Sequence, residues 1–382
     1  MSNKNLQETH ETPQCTHVQP PHLPHDGRFG SGPSKVRPEQ VDAIAASPLG
    51  TSHRKPPVKN LVGEIREGLH ELFHLPEGYE VLLGNGGATA LWDAIPFALV
   101  EHRAQAAVIG EFSRKAAKEV NNAPWLDDAD IRAVEPGQMI LNEPHEGIDT
   151  YLYAHNETST GAMSPLQRYG TPPVVGGDGG ALTLVDGTSI AGGLVFDPSN
   201  VDFYYFSPQK CFGSDGGLWI ALASPAALER IERLTSERWV PDFLNLSIAA
   251  KNSRKNQTYN TPSLATIAML ANQVHWMLDN GGLTGMQARS QESSQLVYTW
   301  ASERPFAHSF IEDPEYRSVT VTTTDIDEAI SVPELSQKLR AMGLVDIDPY
   351  RSLGRNQLRI ATFPAIDPCD IAALLECIDS LV

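Results

Sequence analysis

A chain of 382 residues is longer than one ordinary compact domain and suits a large domain followed by a smaller one. Its 41% hydrophobic and 20% charged residues are ordinary for a globular enzyme, and no apolar run approaches the roughly 20 residues that a membrane span needs. The net charge of −18 argues against nucleic-acid binding, which needs a basic face, so any anion site must come from a few well-placed Arg, Lys and His.

Residues 1–28 are rich in Pro, His, Gln and Thr, lack apolar periodicity, and read as a flexible leader. A short helix follows from Pro38 towards Ala46, then a loop through Ser52-His53-Arg54-Lys55. Val58, Leu61, Val62, Ile65, Leu69, Leu72 and Phe73 then fall on one stripe of a strong amphipathic helix. The stretch 79–83 reads as a strand, running through Gly84-Asn85-Gly86-Gly87 into a helix that ends near Leu99. A strand at 106–109 precedes a helix from about Ser113, and 151–154, 182–185, 203–206 and 218–221 are short apolar runs bounded by turn residues. Such runs suit a sheet covered on both faces, so the fold class is α/β with a mainly parallel sheet. After Thr261 come helices at about 262–278 and 286–300, a strand at 318–323, a helix at 333–342, a strand at 357–362 and a last helix at 367–381. The expected division is a leader over 1–28, a large domain over 29–284 and a small α/β domain over 285–382. The four cysteines, Cys15, Cys211, Cys369 and Cys377, show no metal spacing, which favours a reduced, cytosolic setting and no metal.

Asp186 and Lys210 each follow a strand, and a doubly wound sheet brings such residues to its carboxyl edge, where ligands bind. A pyridoxal 5'-phosphate (PLP) enzyme needs this pair: an amine to hold the cofactor, and a carboxylate to keep its ring nitrogen protonated. Taken alone, an Asp after a strand is a turn cap and a loop Lys is solvated. Gly84-Asn85-Gly86-Gly87-Ala88-Thr89, between strand and helix, offers free N–H groups and a helix dipole to a phosphate. The same loop fits a dinucleotide fingerprint with its third glycine replaced, which keeps an NAD-dependent dehydrogenase as an alternative. Thr158, in His155-Asn156-Glu157-Thr158, would lie at the same edge. Thr261 before Pro262 reads as a helix N-cap, although Asn260 and Thr261 would equally serve a phosphate. For a doubly anionic substrate the candidates are His53, Arg54, Lys55, Arg351, Arg355 and Arg359; Lys55 and Arg351 read as surface cations.

Together these segments resemble the phosphoserine aminotransferases, class-V PLP enzymes of fold type I, and most of all their actinobacterial branch. The resemblance rests on Gly32-Pro33, Ser52-His53-Arg54, Gly86-Gly87-Ala88, Asn156-Glu157-Thr158, Asp186-Gly187-Thr188-Ser189, Ser207-Pro208-Gln209-Lys210 and Tyr259-Asn260-Thr261-Pro262, in the family's order. It implies that Lys210 carries PLP and Asp186 pairs with the ring nitrogen. It implies further that Gly87, Ala88, Thr158 and Gln209 surround the cofactor, with Phe112 on the ring face. Asn260 and Thr261 would reach the phosphate from a second subunit of a homodimer. Arg359 would hold the substrate α-carboxylate, and His53 and Arg54 its phosphate. The implied reaction moves an amino group between glutamate and 3-phosphohydroxypyruvate, giving O-phosphoserine and 2-oxoglutarate. That is a cytoplasmic step of serine biosynthesis, with a related substrate in vitamin B6 synthesis. Two departures stand out: Thr89 replaces an Arg of the better-known branch, and Arg351 and Arg355 stand where a His-Arg pair is usual. The remaining alternatives are another class-V enzyme of the alanine–glyoxylate type, a cysteine desulfurase using Cys211, and a PLP-binding regulator.

Overall fold

The computed structural model describes residues 22–177 and 179–382; most of the expected leader lies outside the described residues. The large sheet is built from β1 (Glu80–Asn85), β2 (Ala104–Val108), β3 (Asp130–Ala133), β4 (Thr150–Ala154), β7 (Leu182–Asp186), β8 (Phe203–Phe206) and β9 (Leu218–Ala223), with the short hairpin β5 (Asn156–Glu157) and β6 (Ala162–Met163) beyond β4. Its seven strands lie in the order β1-β9-β8-β7-β4-β2-β3. β9 runs antiparallel to both of its neighbours, and the other pairings are parallel. All strands except β9 therefore point the same way and end on one edge.

Side chains alternate across a strand, so each strand feeds two cores. Val81, Leu83, Tyr151, Tyr153, Val185, Tyr204 and Phe206 face one layer, which includes α2 (Pro56–Leu72) and α7 (Leu264–Asp279). Leu82, Leu152, Leu184, Phe203 and Tyr205 face the other, where α3 (Gly87–Ala98), α4 (Glu111–Asn121), α5 (Pro225–Glu237) and α6 (Leu246–Ser253) lie. The stripe on α2 buries Val58, Val62, Ile65, Leu69 and Leu72, each contributing about 1.5–3 kcal/mol of apolar burial. The first helix, α1 (Pro38–Ala46), packs against α7.

A second sheet is antiparallel, with β11 (Val321–Ile326) between β10 (Ala307–Ser309) and β12 (Gln357–Ala361). With α8 (Gly282–Glu303), α9 (Val332–Ala341) and α10 (Pro368–Leu381) it forms a separate core that includes Val297, Trp300, Ile360, Phe363 and Ile378. The helix α8 crosses from one core to the other, burying Leu283 and Met286 in the first and Val297 and Trp300 in this one. Phe29 also packs here: its N–H donates to Val345 O and its carbonyl accepts from Ala361 N–H. His25 N–H donates to Asp370 Oδ1 at 2.7 Å.

Several boundaries differ from expectation. The strand expected at 318–323 starts at Val321, because the Ser318 hydroxyl takes the N–H groups of Thr320 and Val321 in a turn. Ser263, not Thr261, caps α7: its Oγ accepts from Thr266 N–H, and the helix begins at Leu264 rather than Pro262. The strands β3 and β10 carry too few apolar residues to announce themselves.

Candidate active site

The carboxyl edge of the large sheet collects the ends of β1, β2, β4, β7 and β8, and with them most of the candidates. Asp186 is the last residue of β7 and pairs in register with Tyr205 of β8; Lys210 follows in the turn after β8. Both are buried, Lys210 at 9% and Asp186 at 7% exposure. Lys210 Nζ donates to Ser31 O at 2.5 Å. The segment after Phe29 is wrapped round this lysine: Ser34 Oγ donates to Lys210 O at 2.6 Å, and Ser34 N–H to Gln209 O at 2.9 Å. Gly32, at φ 132°, lies so close that a β-carbon there would run into Nζ. Burial, with help from the nearby Arg359 guanidinium, brings the Lys210 amine down to about 8.

The Asp186 carboxylate accepts the Thr188 N–H on Oδ1 at 2.9 Å and the Trp92 indole N–H on Oδ2 at 3.2 Å. Burial pushes its pKa up, and these donors oppose the shift.

At the end of β1, Gly86 is the N-cap of α3 with φ 108°, in the left-handed region that favours glycine. Gly87 and Ala88 open the helix, whose first N–H groups have no intrahelical acceptor. Ser207 Oγ takes the Ala88 N–H at 2.7 Å, which ties this cradle to the end of β8. After β2, Phe112 is placed by a buried carboxylate. Glu157 accepts the N–H groups of Phe112 at 3.2 Å and Ser113 at 2.9 Å, a negative charge at the N-terminus of α4. The close approach requires a glycine at 110, since a β-carbon would meet Glu157.

A cavity of about 630 Å³ opens beside Lys210, and Phe112, Lys115, Thr158, Tyr350, Arg351 and Arg359 are among its lining. Arg359 comes from β12 and donates from Nη1 to Thr158 O at 3.2 Å, with its guanidinium 5.2 Å from the Tyr350 ring centroid. Burial pulls its pKa down, and its Nε has no partner among the described residues. Arg351 is exposed, as a surface cation would be, and lies on the rim of this cavity. Arg355 does not: it pairs with Asp325 at 2.6 Å and lies over the Phe310 ring.

The other candidates stand apart from this cavity. His53 is buried with Nε2 unpartnered, and Arg54 is exposed, donating to Gln257 Oε1 at 3.1 Å and Tyr259 O at 3.4 Å. Asn260 and Thr261 are exposed and lie beside Asn85, whose Nδ2 donates to their carbonyls at 3.0 and 3.2 Å. His53, Arg54, Asn260 and Thr261 thus belong to two adjoining loops on the surface, outside the lining of the Lys210 cavity. Sequence reasoning missed Trp92, Ser207, Tyr350 and Lys115 as site residues. Only the cation Lys115, three residues after Phe112 on α4, carried a signal.

The residues fit a PLP molecule. Ser31 Oγ, Thr188 Oγ1, Gln209 Oε1 and Arg359 Nε are buried polar atoms without partners among the described residues, grouped around an amine and a carboxylate. Cys211 is buried, with its thiol pushed up by burial, and is no exposed nucleophile of the desulfurase kind. Among the described residues no group of three or more His, Cys, Asp and Glu is arranged to hold a metal, and no helix is long and apolar enough to cross a membrane.

The sequence profile described as Aminotransferase class-V matches residues 39–344. A phosphoserine aminotransferase of Corynebacterium glutamicum (strain R) is 54% identical over 364 residues, covering 94% of this chain and 95% of the relative. Among solved structures, a phosphoserine aminotransferase from Cytophaga hutchinsonii superposes with a TM-score of 0.83 at 23% identity, over 94% of this chain and 99% of that one. A PLP-bound phosphoserine aminotransferase from Trichomonas vaginalis gives 0.78 at 22% identity, over 93% and 100%. At those identities the structures speak for the fold, the mixed α/β arrangement of fold-type I with a mostly parallel sheet. The profile and the relative place the chain by sequence, and the dehydrogenase alternative falls with them. The chain belongs to the class-V aminotransferase family, in its phosphoserine aminotransferase group.

Proposed function

We propose that the protein transfers an amino group between glutamate and 3-phosphohydroxypyruvate, using PLP held by Lys210, and gives O-phosphoserine and 2-oxoglutarate. The observation that carries this reading is the convergence of Lys210, Thr158, Phe112 and Arg359 on one cavity, with Asp186 behind it on the adjoining strand. Its close sequence relatives are named for phosphoserine. Serine biosynthesis in the cytoplasm follows from that reaction, and the related phosphorylated substrate of vitamin B6 synthesis has the same charged groups.

PLP, when bound, supplies an electron sink for the substrate's α-carbon. A Lys210 amine brought down to about 8 is partly neutral near neutral pH, so Nζ has a free pair to accept the α-proton of the amino acid. Asp186 would hold a proton on the ring nitrogen, and the cradle of Gly86, Gly87 and Ala88 would face the cofactor phosphate, with Ser207 Oγ, which takes the Ala88 N–H, tying it to the end of β8. Thr158 and Gln209 would hold the cofactor's polar substituents, and Phe112 would lie against it. Arg359 orients the substrate by a planar bond to the α-carboxylate, with Tyr350 beside the guanidinium.

The substrate phosphate is read by His53 and Arg54, and the cofactor phosphate is completed by Asn260 and Thr261, all four supplied by a second copy. Supporting a homodimer with shared sites, the large apolar side chains of Phe243 and Tyr259 are exposed beside these loops. Phe243 lies near Gly86 and Tyr259 adjoins Asn260. The domains divide within α8, where the core changes.

Visible absorbance tests the reading. A band near roughly 410 nm that bleaches on adding phosphoserine is the expected result, since the bound cofactor carries the chromophore. A band that responds to other amino acids and ignores phosphoserine would discard the substrate. No band after incubation with PLP would discard the function.

A further inference from the structure

Trp92 has no part in the proposed chemistry, yet its place is unusual for a packed aromatic residue. It lies on α3, the same helix whose first turn forms the phosphate cradle. Only 7% of it is exposed, and its indole N–H is spent on Asp186 Oδ2 at 3.2 Å. Thr188 N–H donates to Oδ1, and the hydroxyls of Thr188 and Tyr205 lie close enough to act on the carboxylate as well.

The groups around Asp186 make this donor consequential. Glu157, on the hairpin after β4, adds negative charge, and Tyr204 and Tyr205 of β8 are buried beside it. The Tyr205 hydroxyl has no partner meeting hydrogen-bond geometry among the described residues. Lys210, in the turn after β8, spends its Nζ on the Ser31 carbonyl instead. An anion at Asp186 is therefore held by neutral donors, the Trp92 and Thr188 N–H groups with the Thr188 hydroxyl close by, which favour the charge without cancelling it. A neighbouring Arg would cancel it and leave less to attract the cofactor's ring N–H.

We propose that Trp92 is a positioning residue: its indole N–H, delivered by the cradle helix, fixes the Asp186 carboxylate and keeps it the weaker base opposite the pyridine nitrogen. The inference rests on the reading of Asp186 as partner of that nitrogen. The direction follows from proton sharing between two bases. A carboxylate that loses a donor becomes more basic and draws the shared proton from nitrogen to oxygen.

The test is Trp92→Phe, which keeps a packed ring and deletes the N–H. In holoenzyme loaded with PLP labelled with 15N in the ring, the parent's nitrogen resonance stays in the protonated range at neutral pH. In the variant it moves towards the unprotonated range; an unchanged resonance would overturn the proposal. A second measurement needs no cofactor. In the full-length chain without PLP, the infrared band of the protonated Asp186 carboxyl, assigned by its loss in Asp186→Asn, titrates about one pH unit higher in Trp92→Phe, as expected for losing one hydrogen bond to a charged group. An equal midpoint would also overturn it. Replacing Trp92 by its benzothiophene analogue, which has the indole's shape but no N–H, reproduces the shift, whereas a ring-fluorinated tryptophan does not. If a purely structural role were correct, both analogues would behave like the parent. The infrared arm decides the grip of Trp92 on Asp186 even where no visible band forms and the functional reading fails.

Discussion

The cavity at Lys210 and the loops around Arg54 are both polar, yet they are built in opposite ways. Around Lys210 the polar groups are buried and short of partners: Ser31 Oγ, Thr188 Oγ1, Gln209 Oε1 and Arg359 Nε all lack one among the described residues. An unmet buried polar atom costs about 1–3 kcal/mol, a cost a well-matched ligand relieves. Around Arg54 the groups are mostly exposed, and the guanidinium bonds Gln257 and Tyr259 on its own chain. The first region is shaped to enclose a molecule and the second to present a surface. In the proposed dimer, the enclosed half is the one that a single chain supplies, and the presented half is the one that a second copy would complete.

The sharpest way to break that contrast is to damage each half separately and mix the products. Lys210→Ala is expected to lose roughly 10³-fold or more in turnover, together with the visible band, because both the anchoring amine and the proton carrier go. Arg54→Ala is expected to lose about 10- to 100-fold in kcat/KM for the phosphorylated substrate, the worth of a bond to a charged group. Unfolding and refolding the two variants together would then restore about a quarter of parental activity. Half of randomly formed dimers pair the two chains, and one of their two sites is intact. If Arg54 served the Lys210 of its own chain, no activity would return.

The next effect sharpens the enclosed half alone. Arg359→Gln removes a buried guanidinium from the cavity without touching the cofactor's anchor. KM for glutamate and phosphoserine should rise, with kcat/KM down about 10- to 100-fold for both, since each carries an α-carboxylate. A loss confined to phosphoserine would move Arg359 to the phosphate and reverse the assignment.

The sequence made the enclosed half far more legible than the presented one. Asp186 and Lys210 could be placed because a parallel sheet brings the residue after each strand to one edge, and apolar runs mark where strands end. Gly86, Gly87 and Ala88 could be placed because a strand–glycine–helix junction has few uses. Trp92 and Tyr350 escaped: a tryptophan on an apolar helix reads as core, and Tyr350 enters through a connection with no periodicity. Arg351 and Arg355 differ in that the first lies beside the cavity while the other meets Asp325, a contact across β11 that spacing does not reveal. Thr261 before Pro262 imitates a cap, but Asn260 and Thr261 lie in a loop joined to Asn85, and the hydroxyl of Ser263 takes the capping place.

The smallest expected effect concerns the amine itself. Burial, then the positive charge of Arg359, favours the neutral form of Lys210 and sets its pKa at about 8 in the chain without cofactor. Uptake of PLP needs that neutral form, since only the free pair attacks an aldehyde. The rate of band growth after mixing should therefore climb about tenfold per unit at low pH and level off above about pH 8. In Arg359→Gln one of the two causes is gone, the lysine pKa rises, and the levelling-off moves to higher pH, so uptake at neutral pH slows. A parental midpoint near the ordinary lysine value of roughly 10.4 would mean the amine is solvated. The contact with Ser31 and the enclosure by Gly32 would then not describe the chain before it binds its cofactor. An unmoved midpoint in Arg359→Gln would leave burial as the whole cause, and would show that the substrate-binding cation and the cofactor amine do not sense each other.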